Sequence, residues 1–285
     1  MPLQAIDPGA HLRGWITLAI SVIALLQVWV IGGWKRFIRR GTLRAYETGN
    51  LEAGYSTFGP TLALIGTFRA INQEVFVEGM SVRVIRVRDK AERVLRWRAF
   101  RSSGINAPTA APQFDLPRSF LVQPTAPHNY NIVFADEEFE AELRIRLNEV
   151  LERWRSFLDE SAKNGKIPTE SVDTILREPN ASQVLWSEFA KEPWVSELHA
   201  AISERFFWHT GEYDIALETR VASPARANAT CWRFVITEQD SKSLRTNVVD
   251  IVRAQSGYNA FLHFAYPQYA SLPPDRKKAL GARAP

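Results

Sequence analysis

The sequence predicts an N-terminal transmembrane helix followed by an α+β soluble domain, in which antiparallel strands are interrupted by a helical insertion. Three observations predict it. Residues 15–34, WITLAISVIALLQVWVIGGW, hold no charged side chain. Over 45–135 apolar residues recur with period two, the mark of half-buried strands. Over 136–209 the period becomes helical, and over 210–270 it returns to two before a last helix. Short tails at 1–14 and 271–285 and a basic stretch at 35–44 complete the division.

A helix over 15–34 would reach about 30 Å at 1.5 Å per residue, the thickness of a bilayer's hydrocarbon core. Trp15, Trp29 and Trp34 stand at or near its ends, where indole rings favour the headgroup boundary, and Lys35, Arg36, Arg39 and Arg40 follow at once. These seven are the expected membrane-interface anchors, with the lipid bilayer as the first expected partner. Arg13 is the single Lys or Arg before the span, against Lys35, Arg36, Arg39, Arg40 and Arg44 just after it. By the positive-inside bias this predicts a single-pass inner-membrane protein, N-terminus outside and C-terminal domain in the cytoplasm. No basic n-region and no convincing small-x-small site frames the span, so it reads as retained rather than cleaved.

The remainder has the composition of a globular domain: 46% hydrophobic and 23% charged residues, with nine Trp and sixteen Phe to fill a core. Its single cysteine, Cys231, excludes an internal disulfide. The net charge of +4 is unevenly spread, with 15 Lys and Arg against 7 Asp and Glu up to Arg101, and 20 against 24 beyond.

Strands are expected at Thr61–Ala70, Val75–Arg88 and Arg93–Arg101, rich in β-branched and aromatic residues and parted by Asn72-Gln73 and Asp89-Lys90. Ser56 to Pro60 reads as a tight turn into the first. The apolar parity switches between Val84 and Ile85, as at a β-bulge. Two short strands follow a Pro-rich loop, at Ser119–Val122 and Tyr130–Phe134.

At Asp136 an N-cap is expected, with Glu137 and Glu138 suiting the positive end of a helix dipole. Phe139, Leu143, Leu147, Val150, Leu151, Trp154 and Leu158 then recur at helical spacing. Shorter helices fit Thr169–Leu176, Ser182–Lys191 and the stretch opened by Pro193. Tyr213, Ile215, Leu217, Thr219 and Val221 alternate with polar neighbours as a strand, and Thr230–Thr237 is its partner. Thr237 stands three residues before Asp240, a capping pattern for a final helix through Leu244, Val248, Ile251 and Val252. The Pro-rich, basic residues 271–285 read as disordered.

Gly211-Glu212-Tyr213, at the head of the alternating strand, resembles the tyrosine corner of immunoglobulin-like β-sandwiches. The likeness covers about 30 residues around the last two strands. It implies an antiparallel immunoglobulin-like sandwich carrying the helical insertion, with Gly211 and Tyr213 structural and the Tyr213 hydroxyl bonded back to nearby backbone. Ile215 stands where antibody domains have their second cysteine. A fold-level likeness implies no activity.

Among signals for chemistry, the basic hairpin is the strongest. Arg83, Arg86, Arg88, Lys90, Arg93, Arg96, Arg98 and Arg101 are opposed within the hairpin only by Asp89 and Glu92. On paired strands such cations suit phosphates of nucleic acid or anionic lipid. The competing reading pairs them with Glu140, Glu142 and similar residues of the acidic half. His128, His199, His209 and His263 show no metal-ligand spacing, and no Gly-x-Ser-x-Gly, P-loop or GxGxxG motif occurs. No cofactor or metal is expected. The chain therefore reads first as a membrane-anchored interaction or scaffold module without catalytic activity, with a protein partner at the membrane. The alternative is a membrane-tethered binder of phosphate-rich ligands through residues 83–101, nucleic acid included. An enzyme built from dispersed residues is a third class.

Overall fold

The computed structural model describes residues 8–37, 40–102, 113–177, 183–223, 225–227, 230–257 and 261–272. It opens with helix α1 (Pro8–Phe37). Within α1, side chains are described for residues 17–33, all of them exposed except the half-buried Gly33. Among the described residues no helix is long and apolar enough to cross a membrane. This overturns the transmembrane helix expected over 15–34, and with it the single-pass inner-membrane placement and the topology derived from it. Of the expected anchors, Trp29 is exposed on α1 and Arg40 is half-buried ahead of the first strand. Trp15, Trp34, Lys35, Arg36 and Arg39 lie outside the described side chains.

Strand β1 (Thr42–Ser56) turns through residues 57 and 58 into β2 (Gly59–Ile71). The two pair from Thr42↔Ile71 to Ser56↔Gly59, with the register shifting between Glu47 and Leu51. Gly49 takes φ +85° inside that shift, a left-handed conformation glycine adopts without steric cost. The bulge breaks the alternation of residues 42–56, so the first expected strand, Thr61–Ala70, is in fact the second.

Strands β3 (Val75–Arg86) and β4 (Glu92–Ser102) form the next hairpin, followed by β5 (Gln113–Asp115), β6 (Phe120–Val122) and β7 (His128–Ala135). No bulge stands between Val84 and Ile85: the register runs unbroken from Ser81↔Arg96 to Ile85↔Glu92. Val82 and Val84 are fully buried while Ile85 is only half-buried, an apolar residue on the outer face rather than a change of parity. The true shifts lie between Val77 and Gly79 and between Trp97 and Ala99.

Four helices follow: α2 (Glu137–Lys163), α3 (Ser171–Arg177), α4 (Gln183–Phe189) and α5 (Pro193–Glu204). Asp136 caps α2, its carboxylate accepting from the N–H of Glu138 at 3.0 Å and of Phe139 at 3.3 Å. The predicted stripe from Phe139 to Leu158 is the buried face of that helix except at Leu151, which is about half exposed on its flank. Then come β8 (Gly211–Val221), β9 (Arg226–Ala227), β10 (Thr230–Ile236), α6 (Glu238–Gln255), β11 (Phe264–Ala265) and β12 (Tyr269–Ser271). Thr237 and Asp240 close the expected capping box at the start of α6.

Among the described residues all twelve strands belong to one sheet, ordered β11-β1-β2-β7-β4-β3-β8-β10-β12 along its main path, while off that path β5 pairs with β4, β6 with β3 and β9 with β1. The sheet is mixed, because β9 runs parallel to β1 while the other pairs are antiparallel. Chain length forces it to curl. Laid flat, the nine-strand path would span about 38 Å at about 4.8 Å per strand. Yet Ala265 of β11 and Tyr269 of β12 are four residues apart, a reach of about 14 Å at most.

The enclosed face is the core. Tyr55 meets Phe139 of α2 and Phe206 edge-on there, with ring centroids 5.6 and 5.1 Å away. Toward the other end of the hairpin, Phe68 stacks on Tyr130 at 4.2 Å, and Trp97, Phe100 and Phe120 pack beside them. An immunoglobulin-like sandwich needs a second sheet on this face, and helices occupy that place. The sandwich expectation is thereby corrected to one curled mixed sheet with helices. Its local sign is nevertheless real: Tyr213 is fully buried and its hydroxyl donates to the His209 carbonyl at 2.7 Å, with the Phe207 carbonyl 3.0 Å away.

Candidate binding cleft

The basic hairpin is mostly neutralised. Arg83 pairs with Glu218 on β8. Arg86 bonds Asp89 at 2.8 Å and the Phe207 carbonyl at 3.1 Å. Arg93 lies 3.8 Å from Asp136 and 3.6 Å from Glu138. Arg96 reaches Glu137 at 3.0 Å, and Arg98 reaches Glu140 at 3.0 Å. Arg101 forms a two-pronged pair with Glu52 at 2.8 to 3.0 Å. Arg88 and Lys90 are exposed and form no ion pair among the described residues.

These pairings tune the groups involved. The Arg86 guanidinium and the Ala91 N–H hold the Asp89 carboxyl down at about 2. Hydrogen bonding to Glu218 raises Arg83, and hydrogen bonding to Asp89 raises Arg86. Burial pushes the Tyr213 hydroxyl up to about 12. Burial also lowers His128, His199 and His209. Among the described residues no group of three or more His, Cys, Asp or Glu side chains could hold a metal ion. Cys231 is a buried free thiol on β10.

The hairpin's last arginines lead instead to a depression on the outer face of the sheet. Cross-strand register lines up Glu52 (β1), Ala63 (β2), Val133 (β7) and Ala99 (β4) in one row. Successive side chains of a strand point to opposite faces, so this row faces away from the core that holds Ala53, Leu62, Leu64, Ile132 and Phe134. Its small members leave a floor. Gly54 and Thr61 extend it, and a Cβ on Gly54 would stand 2.6 Å from Thr61 Oγ1 and 2.9 Å from the Phe264 ring.

Aromatic walls rise from three separate places: Phe58 in the β1–β2 turn, Phe114 with Leu116 at β5, and Phe261 with Phe264 at β11. All five are exposed, Phe261 and Leu116 by more than four-fifths. The space between them is a cleft of about 690 Å³. That is within the range of small-molecule sites, which are mostly apolar with a few placed polar groups. Here the polar groups are the Glu52–Arg101 pair, Arg98, Asp115 and the hydroxyls of Ser56, Thr57 and Thr61. Burial raises the pKa of the nearby Tyr266 hydroxyl, and the Glu52 carboxylate raises it further. Arg98 lies with its guanidinium 4.7 Å from the Phe58 ring centroid.

Of the eight expected anion-binding residues, Arg98 and Arg101 reach the cleft. Arg83, Arg86, Arg93 and Arg96 are held elsewhere by their carboxylates. The cleft had one signal in the sequence, small residues at outward positions of β2 and β4, but those positions meet only through pairings between strands far apart in the chain.

No family model, no curated protein and no solved structure matches this chain.

Proposed function

We propose that the chain is a non-catalytic interaction module that binds a largely apolar ligand in the cleft on the outer face of its sheet. One observation carries this reading: a 690 Å³ cleft walled by phenylalanines from three parts of the chain, on a floor of Ala63, Ala99 and Thr61. Apolar side chains gathered around a concavity and left exposed are favoured only if a ligand covers them. The phosphate-binding reading has less support, since six of its eight cations already face carboxylates; Arg88 and Lys90 are what it retains.

The test is binding of the neutral dye Nile red to the full chain, followed by fluorescence. Because α1 also exposes apolar side chains such as Leu25 and Val28, the readout is the difference between wild type and Ala63→Trp. That variant fills the floor and should lose one saturable class of sites. Phe114→Ser with Phe261→Ser, both exposed, repeats the comparison without touching the floor. Dye binding unchanged in both variants would discard the cleft as the binding surface.

A further inference from the structure

Resting on that reading, we propose that the ligand is an amphiphile with one carboxylate, its apolar body on the alanine floor and its head taken by Arg98. The two guanidiniums of the cleft differ in how freely they can change partner. Arg101 spends three contacts on Glu52, and the two side chains are only 17 and 11% exposed. Diverting it would leave a buried carboxylate short of its partner, which is costly. The pair therefore serves as a fixed, neutral part of the wall.

Arg98 is in the opposite situation. Its side chain is 45% exposed and makes a single bond, from Nη2 to Glu140 at 3.0 Å. Glu140 is 20% exposed, so this pair is more open to water than Glu52–Arg101 on both sides, and with one bond to break Arg98 can exchange Glu140 for a ligand carboxylate at a smaller cost than Arg101 would incur. Four of its five N–H donors make no bond to protein. Packing on the Phe58 ring fixes the guanidinium at the edge of the apolar space.

The register of β5 orients the ligand. Phe114 pairs with Arg101, so its exposed ring stands beside the Arg101 end of β4 and makes that end apolar. The Arg98 end is left for the head. Leu116, Phe114 and Phe261 are then available to the tail. A fatty acid and an aryl-alkyl acid share this chemistry.

Displacement of Nile red from the full chain by dodecanoate, 4-phenylbutyrate and dodecanol at pH 8 tests the proposal. Dodecanoate should bind at least tenfold more tightly than dodecanol. Arg98→Gln should remove that preference while leaving dodecanol unchanged, and raising salt from 0.05 to 0.5 M should weaken dodecanoate alone. Displacement by 4-phenylbutyrate, sensitive to Arg98→Gln, would place the aryl acids beside the fatty acids; its absence confines the ligand to the alkyl class. Equal affinity for dodecanoate and dodecanol would overturn the carboxylate proposal and leave the cleft reading standing. An equal loss for both on Arg98→Gln would also overturn it, because Arg98 would then act only as wall. If neither amphiphile displaces the dye, the cleft reading itself falls.

Discussion

Replacing Tyr213 by Phe removes one hydroxyl from a fully buried polar junction of the fold. The ring should stay in place, since it is fully buried and stacked on Phe234 at 5.4 Å with planes 13° apart. What is lost is the 2.7 Å bond to the His209 carbonyl. The Phe207 carbonyl keeps its 3.1 Å bond from Arg86 and needs no rescue. One buried carbonyl losing its donor costs about 1–2 kcal/mol. For a domain of this size each kcal/mol moves Tm by about 2–4 °C, so calorimetry should find a fall of roughly 2–8 °C. The hydroxyl also titrates at about 12 in the folded chain against 10.0 for the free group. A raised folded pKa gives stability that is complete below pH 10 and is lost as pH climbs from 10 to 12. The variant should therefore lose less stability over that window than wild type. An unchanged Tm would refute the assigned bond, and equal loss from pH 10 to 12 in both proteins would refute the burial that raises the hydroxyl's pKa.

Gly59 has φ +74°, and a Cβ there would sit 2.4 Å from the Phe139 ring; Gly59→Ala should cost about 2–4 kcal/mol in urea unfolding, from left-handed strain plus overpacking. Asp136→Ala uncaps α2 and should cost about 1 kcal/mol, seen as a lower urea midpoint with unchanged slope. Arg96→Gln, at an exposed pair with Glu137, should move stability by under about 1 kcal/mol. Arg86→Gln, whose side chain is 15% exposed and also bonds the Phe207 carbonyl, should cost about 1–3 kcal/mol in the same assay.

What was legible in the sequence is what depends on near neighbours. The Asp136 cap, the stripe from Phe139 to Leu158 and the Thr237–Asp240 box each need only residues three or four apart, and all three are in place. The run from Tyr213 to Leu217 was readable as a strand, although Asp214 and Ala216 are buried as well. Asp214 is neutralised by Arg233 across the β8–β10 pair, at 2.6 and 2.9 Å. β1 escaped because the register shifts between Glu47 and Leu51, around the left-handed Gly49, and so parts the buried Leu43 from Leu51, Ala53 and Tyr55 instead of leaving one continuous run. The single curled sheet escaped because its closure depends on β9, β11 and β12, two or three residues each, too short to leave a period. The apolar segment at 15–34 shows the converse limit: composition suggested a span, and no helix among the described residues meets its requirements. Of the hairpin's partners, Glu140 is expected from the sequence and does meet Arg98, whereas the other carboxylate expected, Glu142, pairs with Arg205, and Glu218 and Glu52 lie too far from the hairpin in sequence to be assigned.

The division between the two faces of the sheet separates stability from binding. On the inner face large aromatic and aliphatic side chains are buried wherever register allows, from Tyr55 and Phe134 to Trp232 and Phe234. On the outer face, central strand positions 63 and 99 carry alanine, where β-branched residues suit a pleated surface better and would bury more area at about 0.8 kcal/mol per added CH₂. A sheet shaped for stability alone would fill those positions and draw Phe261 and Phe114 down onto them. Here the floor stays low while both rings remain more than half exposed. That arrangement forgoes stabilisation at four or five neighbouring positions at once, a pattern expected where a concave surface is kept open for a ligand. The Glu52–Arg101 pair fits the same logic. It sets two charges into an outer wall that apolar residues could have covered, and, being satisfied internally, it shapes the cleft without deciding its charge. Selectivity then falls to the one guanidinium at the rim that is lightly held, Arg98.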